Sequence, residues 1–244
     1  MAEPETTAAT PIIDIRPGAT PLAEAAGRVM DTVADGGVAV IPLDVAYGIV
    51  GHAPGAVERI FKAKRRSYDK PSGFFSNWTI FNEIHITDQR SKDVVRAIIL
   101  DHDLPFSVVA PYRADHPLMR SLEPFALEHS TKADTLDMLL NAGAFHNALT
   151  ALAAERGCAV VGSSANTSLG GSKFTLGDVD APVIAAADLA VDGGLSKYHN
   201  PEGISSTIVD LRSFKTVRRG VCYDRICAIL LKDFGIDLIA NGMA

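Results

Sequence analysis

The sequence predicts an α/β fold in one main domain. Segments with helical periodicity alternate with short apolar segments along the chain, the pattern expected when helices pack around a sheet. Two apolar segments, 38–41 and 158–161, contain no polar residues, so both faces of these strands are predicted to be buried. The 244 residues are 47% hydrophobic and 21% charged, which are ordinary values for a globular protein.

The predicted elements follow from local patterns. Apolar residues at three- and four-residue steps predict a first helix from Leu22, and Gly36-Gly37 ends it because glycine readily adopts the left-handed conformation. Further helices are predicted at 56–64, 91–100, 133–156 with an interruption near Gly143, and 224–238. Strands are predicted at 38–41, 106–110, 158–161, 189–191, 207–211 and 217–223, with a hairpin turn at 212–215.

The expected domain organisation is simple. Residues 1–20 are rich in proline and are predicted to be a flexible tail. Residues 21–223 would form the α/β domain, and residues 224–244 would form a C-terminal helix and tail.

Charge and cysteine content restrict the classes of function. The formal net charge of −6 argues against nucleic-acid binding through a positive charge spread over the whole surface. The three cysteines form no C-x-x-C pair, which is typical of a reducing compartment. The N-terminus lacks the basic and apolar regions of a secretory signal, and no apolar run approaches the ~18 residues of a membrane span. We therefore expect a cytoplasmic protein without a membrane partner.

A cluster of cations is the first candidate site. It consists of Arg59, Lys62, Lys64, Arg65, Arg66 and Lys70. Lys64 and Arg66 lie at a helix end, and Arg66 and Lys70 lie in the following loop, where they could converge on a phosphate. The alternative is a solvated helix end whose cations offset the helix dipole.

Two polar segments follow predicted strands and are further candidates. Residues 162–168 carry small hydroxyl and amide side chains, which can face a ligand at the end of a central strand. They could equally form a polar turn or a helix cap. In the segment 41–49, Asp44 and Tyr47 could contact a ligand, or could cap a turn and fill the core.

The sequence contains no motif for metal binding, for the common nucleotide-binding loops or for a serine nucleophile. The seven histidines show no spacing typical of metal ligands, so no protein metal site is predicted. There is no phosphate-binding loop, dinucleotide fingerprint or nucleophile elbow.

In this order, the segments resemble the YrdC-like family from Leu22 to about Val221. The matching motifs are Pro42-Leu43-Asp44-Val45-Ala46-Tyr47-Gly48-Ile49, Ala56-Val57-Glu58-Arg59-Ile60-Phe61, Lys64-Arg65-Arg66, Lys70-Pro71, Ser164-Ala165-Asn166, Asp192-Gly193-Gly194, Ser206-Thr207-Ile208-Val209-Asp210-Leu211 and Arg219-Gly220. The family's second domain, present in longer members, is not expected because 24 residues follow Gly220.

The resemblance implies a fold and an activity. The fold would be a twisted, open, mixed sheet with helices packed around it and a concave basic face. The activity would be L-threonylcarbamoyladenylate synthesis from ATP, bicarbonate and L-threonine, with release of pyrophosphate, for the threonylcarbamoyladenosine modification of tRNA. Mg²⁺ would accompany ATP. Double-stranded RNA or tRNA would contact the basic cluster.

The resemblance also implies roles for particular residues. The catalytic residues would be Lys64, Arg66, Ser164 and Asn166. The nucleotide-binding residues would be Lys70, Ser206 and Arg219, and the substrate-binding residues would be Asp44 and Tyr47.

Three departures from the family pattern leave an alternative open. Leu43 and Val45 replace two threonines of the first motif, and the family's Arg-x-Pro has no match because 136–143 is predicted to be helical. A substrate polar group facing Leu43 would be left without a partner. The alternatives are a synthase that uses another amino-acid or carbamoyl substrate, or a non-catalytic paralogue that binds nucleotide or RNA on its basic face.

Overall fold

We analysed a computed structural model of the chain, which describes residues 9–244. The strands are β1 (Ile12–Asp14), β2 (Ala39–Ile41), β3 (Gly48–Gly51), β4 (Gly73–Phe75), β5 (Phe106–Pro111), β6 (Thr131–Lys132), β7 (Thr135–Leu140), β8 (Val161–Ser164), β9 (Leu189–Asp192), β10 (Ile208–Asp210) and β11 (Lys215–Arg218). The α-helices are α1 (Leu22–Ala34), α2 (Pro54–Lys64), α3 (Trp78–Ile84), α4 (Gln89–Arg96), α5 (Pro117–Arg120), α6 (Pro124–Glu128), α7 (Ala144–Arg156), α8 (Ala181–Ile184), α9 (Tyr223–Phe234) and α10 (Leu238–Asn241).

The strands form one mixed, open sheet, as predicted. Its order is β1-β9-β2-β3-β8-β4-β7-β5-β10-β11, and β6 pairs only with β7. The pairs β1–β9, β9–β2, β4–β7 and β5–β10 are parallel, and the other pairs are antiparallel. Such a sheet needs helices on both faces, because strands such as β2 and β3 are buried throughout.

The side chains of the sheet are divided between the two faces. Ala39 and Ile41 pack with α1 and α7, whereas Val40 packs with α2 and α8, as the two-residue period of a strand requires. In β7, Leu136, Met138 and Leu140 enter the core that contains α3, α4 and α9. Asp137 and Leu139 alternate with them along the strand, and both line a cleft.

The predicted helix at 133–156 is wrong in its first half. Residues 135–140 form β7, which lies between β4 and β5 in the sheet. The leucines and methionine of this segment favour a helix in isolation. Hydrogen bonds to two neighbouring strands override that preference, and α7 begins only after Gly143.

The predicted N-terminal tail also contains structure. Residues 12–14 form the edge strand β1, which pairs with β9 and buries Ile13. Pro11 and Pro17 lie outside this strand, so neither removes one of its hydrogen bonds. Residues 1–8 of the predicted tail lie outside the described residues.

Two strand boundaries and the C-terminus differ from the predictions. The strand predicted at 158–161 runs from Val161 to Ser164, so two serines lie within the sheet rather than in a turn. The strand predicted at 217–223 is β11, at 215–218, and it forms the predicted hairpin with β10. After α9, the chain continues into α10, and Ala244 N donates to Thr216 O. Within residues 9–244, none of the helices is long and apolar enough to span a bilayer.

Gly162 in β8 lies against the backbone of β3 with no room for a side chain. A Cβ at Gly162 would overlap Ile49 O and lie 2.9 Å from Val50 Cγ1, whereas a Cβ at Gly55 in α2 would meet nothing within 4 Å. We expect Gly162→Ala to lower the free energy of unfolding by about 2–4 kcal/mol. Gly55→Ala should leave it unchanged or raise it slightly. Urea unfolding of both variants measures this, and equal stabilities would contradict the described strand pairing.

Candidate functional site

A polar cleft of about 210 Å³ lies over the central strands. We call it the serine cleft. Its polar lining consists of Tyr47, Arg66, Ser107, Asp137, Ser163, Ser164, Ser205, Ser206 and Arg218, and its apolar lining includes Leu43, Phe75, Leu139 and Ile208. These residues come from loops and strands that are distant in sequence. The sheet order, which places β8, β4, β7, β5 and β10 side by side, brings them together.

Lys64 does not line the cleft but makes hydrogen bonds to the backbone of the segment that forms one of its walls. It is the last residue of α2 and is 1% exposed. Its Nζ donates to Ser164 O and, at 2.5 Å, to Asn166 O. Burial, together with the nearby charge of Arg66, lowers the pKa of Lys64 to about 7. Lys64 therefore connects the end of α2 to the segment after β8, rather than presenting a free ammonium group to a ligand.

Arg66 reaches the cleft from the loop that follows α2. Its guanidinium donates to Lys70 O at 2.9 Å and Pro71 O at 2.7 Å, and it contacts Ser163 Oγ at 3.4 Å. The same group lies 5.9 Å from the centre of the Phe61 ring. These contacts fix the side chain, and desolvation lowers the pKa of Arg66, although a guanidinium stays charged at any physiological pH.

Arg218 lines the serine cleft and was missed by the sequence analysis. Its guanidinium donates to Ser206 O at 2.8 and 3.0 Å and to Ser206 Oγ at 3.0 Å. Ser206 Oγ also shares a hydrogen bond of 2.9 Å with Ser107 Oγ. Ser206, a predicted nucleotide-binding residue, therefore lies in the cleft with Arg218.

The predicted residue Arg219 lies elsewhere. Its guanidinium is 5.2 Å from the centre of the Tyr223 ring. Arg219 is not among the residues that line the cleft. β11 ends at Arg218, and Arg219 is the next residue, so its side chain leaves the backbone in a different direction. Side chains two residues apart in a strand lie on the same face, so the face of buried Thr216 includes Arg218, and this spacing would have selected Arg218.

Asp137 is the second residue that the sequence analysis missed. Its carboxylate lines the cleft together with Arg66 and Arg218. Burial raises the pKa of Asp137 to about 6, and the charges of Arg218 and Arg66 oppose that rise. The sequence signal was a single carboxylate within the apolar segment 135–140, which was misread as part of a helix.

The predicted catalytic pair Ser164 and Asn166 is divided. Ser164 lines the cleft. Asn166 is 7% exposed, its backbone oxygen accepts from Lys64, and its Nδ2 donates to Thr167 O at 2.6 Å. Asn166 is not among the residues that line the cleft, and its Oδ1 is buried without a hydrogen-bond partner within residues 9–244.

Neither predicted substrate-binding residue offers a free polar group to the cleft. Tyr47 is fully buried, and its hydroxyl interacts with Gly194 O at 2.9 Å and Gly193 N at 3.0 Å. Burial raises the pKa of Tyr47 to about 12. Asp44 lies in a neighbouring pocket of about 230 Å³, with its Oδ2 3.8 Å from Lys197 Nζ. Leu43 lines both cavities.

The basic cluster does not form one surface. Arg59 forms an ion pair with Asp188, and Lys62 forms an ion pair of 2.7 Å with Glu58. Lys70 lines a larger pocket next to the serine cleft. The cations are thus distributed among a helix face with paired charges, a buried contact, the serine cleft and the larger pocket. Among residues 9–244, no group of three His, Cys, Asp or Glu side chains has the geometry of a metal site.

The fold and the cleft define an α/β protein with an open mixed sheet and a cleft that combines arginine and serine side chains. A family profile named Sua5_yciO_yrdC, with the description telomere recombination, matches residues 31–220. The chain belongs to this family. Among curated proteins, no sequence matches this chain.

Solved structures show the same fold at low sequence identity. A hypothetical protein from Streptococcus mutans UA159 is 17% identical with a TM-score of 0.75, and the match covers 94% of this chain and 97% of that one. P. abyssi Sua5 complexed with L-threonine is 21% identical with a TM-score of 0.67, covering 86% of this chain. The match spans only 58% of the Sua5 chain.

A further structure, full-length HypF in its phosphate- and nucleotide-bound form, is 16% identical with a TM-score of 0.59. The match covers 82% of this chain and 29% of HypF. At these identities the structures establish the fold that this chain shares with them.

The contact of Lys64 with two carbonyls can be tested by a matched pair of substitutions. Lys64→Met keeps the apolar part of the side chain but leaves Ser164 O and Asn166 O without their donor. We expect the free energy of unfolding to fall by about 2–4 kcal/mol. Lys62→Met, two residues earlier on an exposed ion pair, should leave it nearly unchanged. Equal effects in urea unfolding would show that Lys64 has no structural role.

The raised pKa of Asp137 predicts a pH-dependent stability. Between its ordinary pKa near 4 and about 6, the folded protein binds a proton that the unfolded chain has lost. Stability therefore falls as pH rises through this window. We expect Asp137→Asn to gain about 2 kcal/mol over the wild type between pH 4 and pH 7.5. Urea unfolding at both pH values tests this, and a constant difference would contradict it.

Proposed function

We propose that the protein is an ATP-dependent nucleotidyltransferase that forms a carbamoyl adenylate from bicarbonate and an amino acid, in the manner of L-threonylcarbamoyladenylate synthase. The observation that carries the proposal is the presence of Arg66 and Arg218 in one cleft with several serine hydroxyls. In this proposal the product serves the threonylcarbamoyladenosine modification of tRNA.

The arrangement suits the charge that develops in adenylyl transfer. Two guanidinium groups can hold phosphate oxygens and stabilise the leaving pyrophosphate, while serine hydroxyls can donate to the remaining oxygens. Carbonyl groups already hold both arginines in position. Little side-chain freedom would therefore be lost when ATP binds.

Mg²⁺ would be bound mainly by the nucleotide. Asp137 is the one carboxylate among the described residues that line the cleft, too few for a protein metal site, so the phosphate oxygens and water would supply the ligands. The metal would neutralise part of the triphosphate charge.

The family relatives support this choice of substrates. The similar structures include Sua5 complexed with L-threonine and HypF in a phosphate- and nucleotide-bound form. We transfer these ligands to the serine cleft as part of the proposal, with bicarbonate as the third substrate.

The apolar wall of the cleft bears on the identity of the amino acid. Leu43 Cδ1 and Phe75 Cζ lie 3.2 and 3.4 Å from the position that a Cβ on Gly48 would occupy. Both side chains are buried. A threonine hydroxyl placed against this wall would find no partner there, which favours an amino acid that presents an apolar side chain.

A second candidate function is nucleotide binding without catalysis. The observation that favours it is Lys64, which was predicted to be catalytic but donates to backbone carbonyls. Binding of ATP to Arg66 and Arg218 without pyrophosphate release would distinguish this function from the synthase.

Substitution of the two arginines tests the site. Arg66→Ala and Arg218→Ala should each reduce pyrophosphate release from ATP, bicarbonate and an amino acid by at least about tenfold, since each removes charge-assisted hydrogen bonds to phosphate. Arg219→Ala is the matched control, because it removes the same charge one residue away. Equal losses for Arg218→Ala and Arg219→Ala would contradict the assignment of the serine cleft.

The choice of amino acid is tested in the same assay. We expect Leu43→Thr to raise the rate with L-threonine relative to the rate with L-valine, which has a similar shape but no hydroxyl. The gain should be about three- to tenfold, the value of one neutral hydrogen bond. An unchanged preference would place the amino-acid side chain away from Leu43.

A further inference from the structure

We propose that Asp137 is a specificity-determining residue that accepts hydrogen bonds from the ribose hydroxyls of the nucleotide. This inference rests on the proposed nucleotide-binding function of the serine cleft. It assigns a role to a residue that no motif of the sequence marked.

Within residues 9–244, the carboxylate of Asp137 has no hydrogen-bond or ion-pair partner. Its Oδ1 is buried and makes no hydrogen bond, and neither of its oxygens forms an ion pair within 4.0 Å with a basic group of residues 9–244. The nearby guanidinium groups of Arg66 and Arg218 instead donate to carbonyl and hydroxyl groups. A buried acceptor without a donor destabilises the fold unless a ligand supplies the donor.

Asp137 lies where two cavities meet. One is the serine cleft, and the other is a pocket of about 550 Å³ that we call the outer pocket. Arg66, Pro71 and Asp137 line both of them. The outer pocket is otherwise lined by residues that include Ser130, Lys132, Thr135 and Val217.

This position matches the middle of a nucleoside triphosphate. If Arg66 and Arg218 hold the phosphates in the serine cleft, the base extends into the outer pocket, and the ribose lies between them at Asp137. A carboxylate repels phosphate but accepts hydrogen bonds from two adjacent hydroxyls. Asp137 therefore selects for a ribose at the position where the arginines alone would bind any polyphosphate.

The test compares ligands that differ only in the groups assigned to Asp137. Binding of ATP, 2′,3′-dideoxy-ATP and tripolyphosphate is measured by calorimetry, with and without Mg²⁺. The proteins are the wild type, Asp137→Ala, Asp137→Asn and Glu24→Gln. Asp137→Asn keeps the shape of the side chain, and Glu24→Gln removes one exposed negative charge on α1 as a matched control.

We expect the wild type and Glu24→Gln to prefer ATP over 2′,3′-dideoxy-ATP by about tenfold or more, because the charged acceptor loses its donors. The preference should fall close to one in Asp137→Ala and be reduced in Asp137→Asn. Tripolyphosphate should bind both Asp137 variants at least as tightly as it binds the wild type.

Several results would overturn the inference. An unchanged preference in the Asp137 variants, with ATP binding still lost in Arg66→Ala, would remove the role of Asp137 and leave the nucleotide site intact. An effect of Asp137→Ala that occurs only with Mg²⁺ would assign the carboxylate to the metal instead. Absence of ATP binding to the wild type would overturn the proposed function and, with it, this inference.

Discussion

The arrangement of the serine cleft depends on the buried ammonium group of Lys64. It joins the C-terminal end of α2 to the segment after β8 through the carbonyls of Ser164 and Asn166. Arg66 follows Lys64 by two residues. The contact of Lys64 with the two carbonyls therefore also positions the Arg66 guanidinium relative to Ser163 Oγ. A buried amino group needs hydrogen-bond acceptors, and the two carbonyls that accept from Lys64 link the backbones of both segments.

The charged side chains of the serine cleft are held in place, but their hydrogen-bonding capacity is only partly used within the described chain. Arg66 and Arg218 are held by backbone carbonyls, which leaves their charge only partly neutralised. Asp137 lies near both arginines and has no hydrogen bond within the described chain. Burial raises the pKa of its carboxyl group. Groups that would gain partners only from a ligand are typical of binding sites, where stability is given up for recognition.

The sequence predicts the architecture better than the details of the site. Apolar strands and helical periodicity predicted the α/β class, and the family resemblance implied the open mixed sheet. The motifs identified Arg66, Ser164 and Ser206 as candidates in what proved to be one cleft. Asp137 was missed because leucine-rich β7 has the composition of a helix, and only pairing with β4 and β5 makes it a strand. Arg219 was chosen instead of Arg218 because a motif does not specify which face of a strand a side chain occupies.

The most direct test of the proposed site is a crystal structure of the protein with a non-hydrolysable ATP analogue. We expect phosphate oxygens within hydrogen-bonding distance of both Arg66 and Arg218, with Lys64 still bound to Ser164 O and Asn166 O. A nucleotide whose phosphates bind Lys70 and Lys132 in the outer pocket, with the serine cleft empty, would contradict it. So would a Lys64 ammonium group that leaves the carbonyls to contact the phosphates.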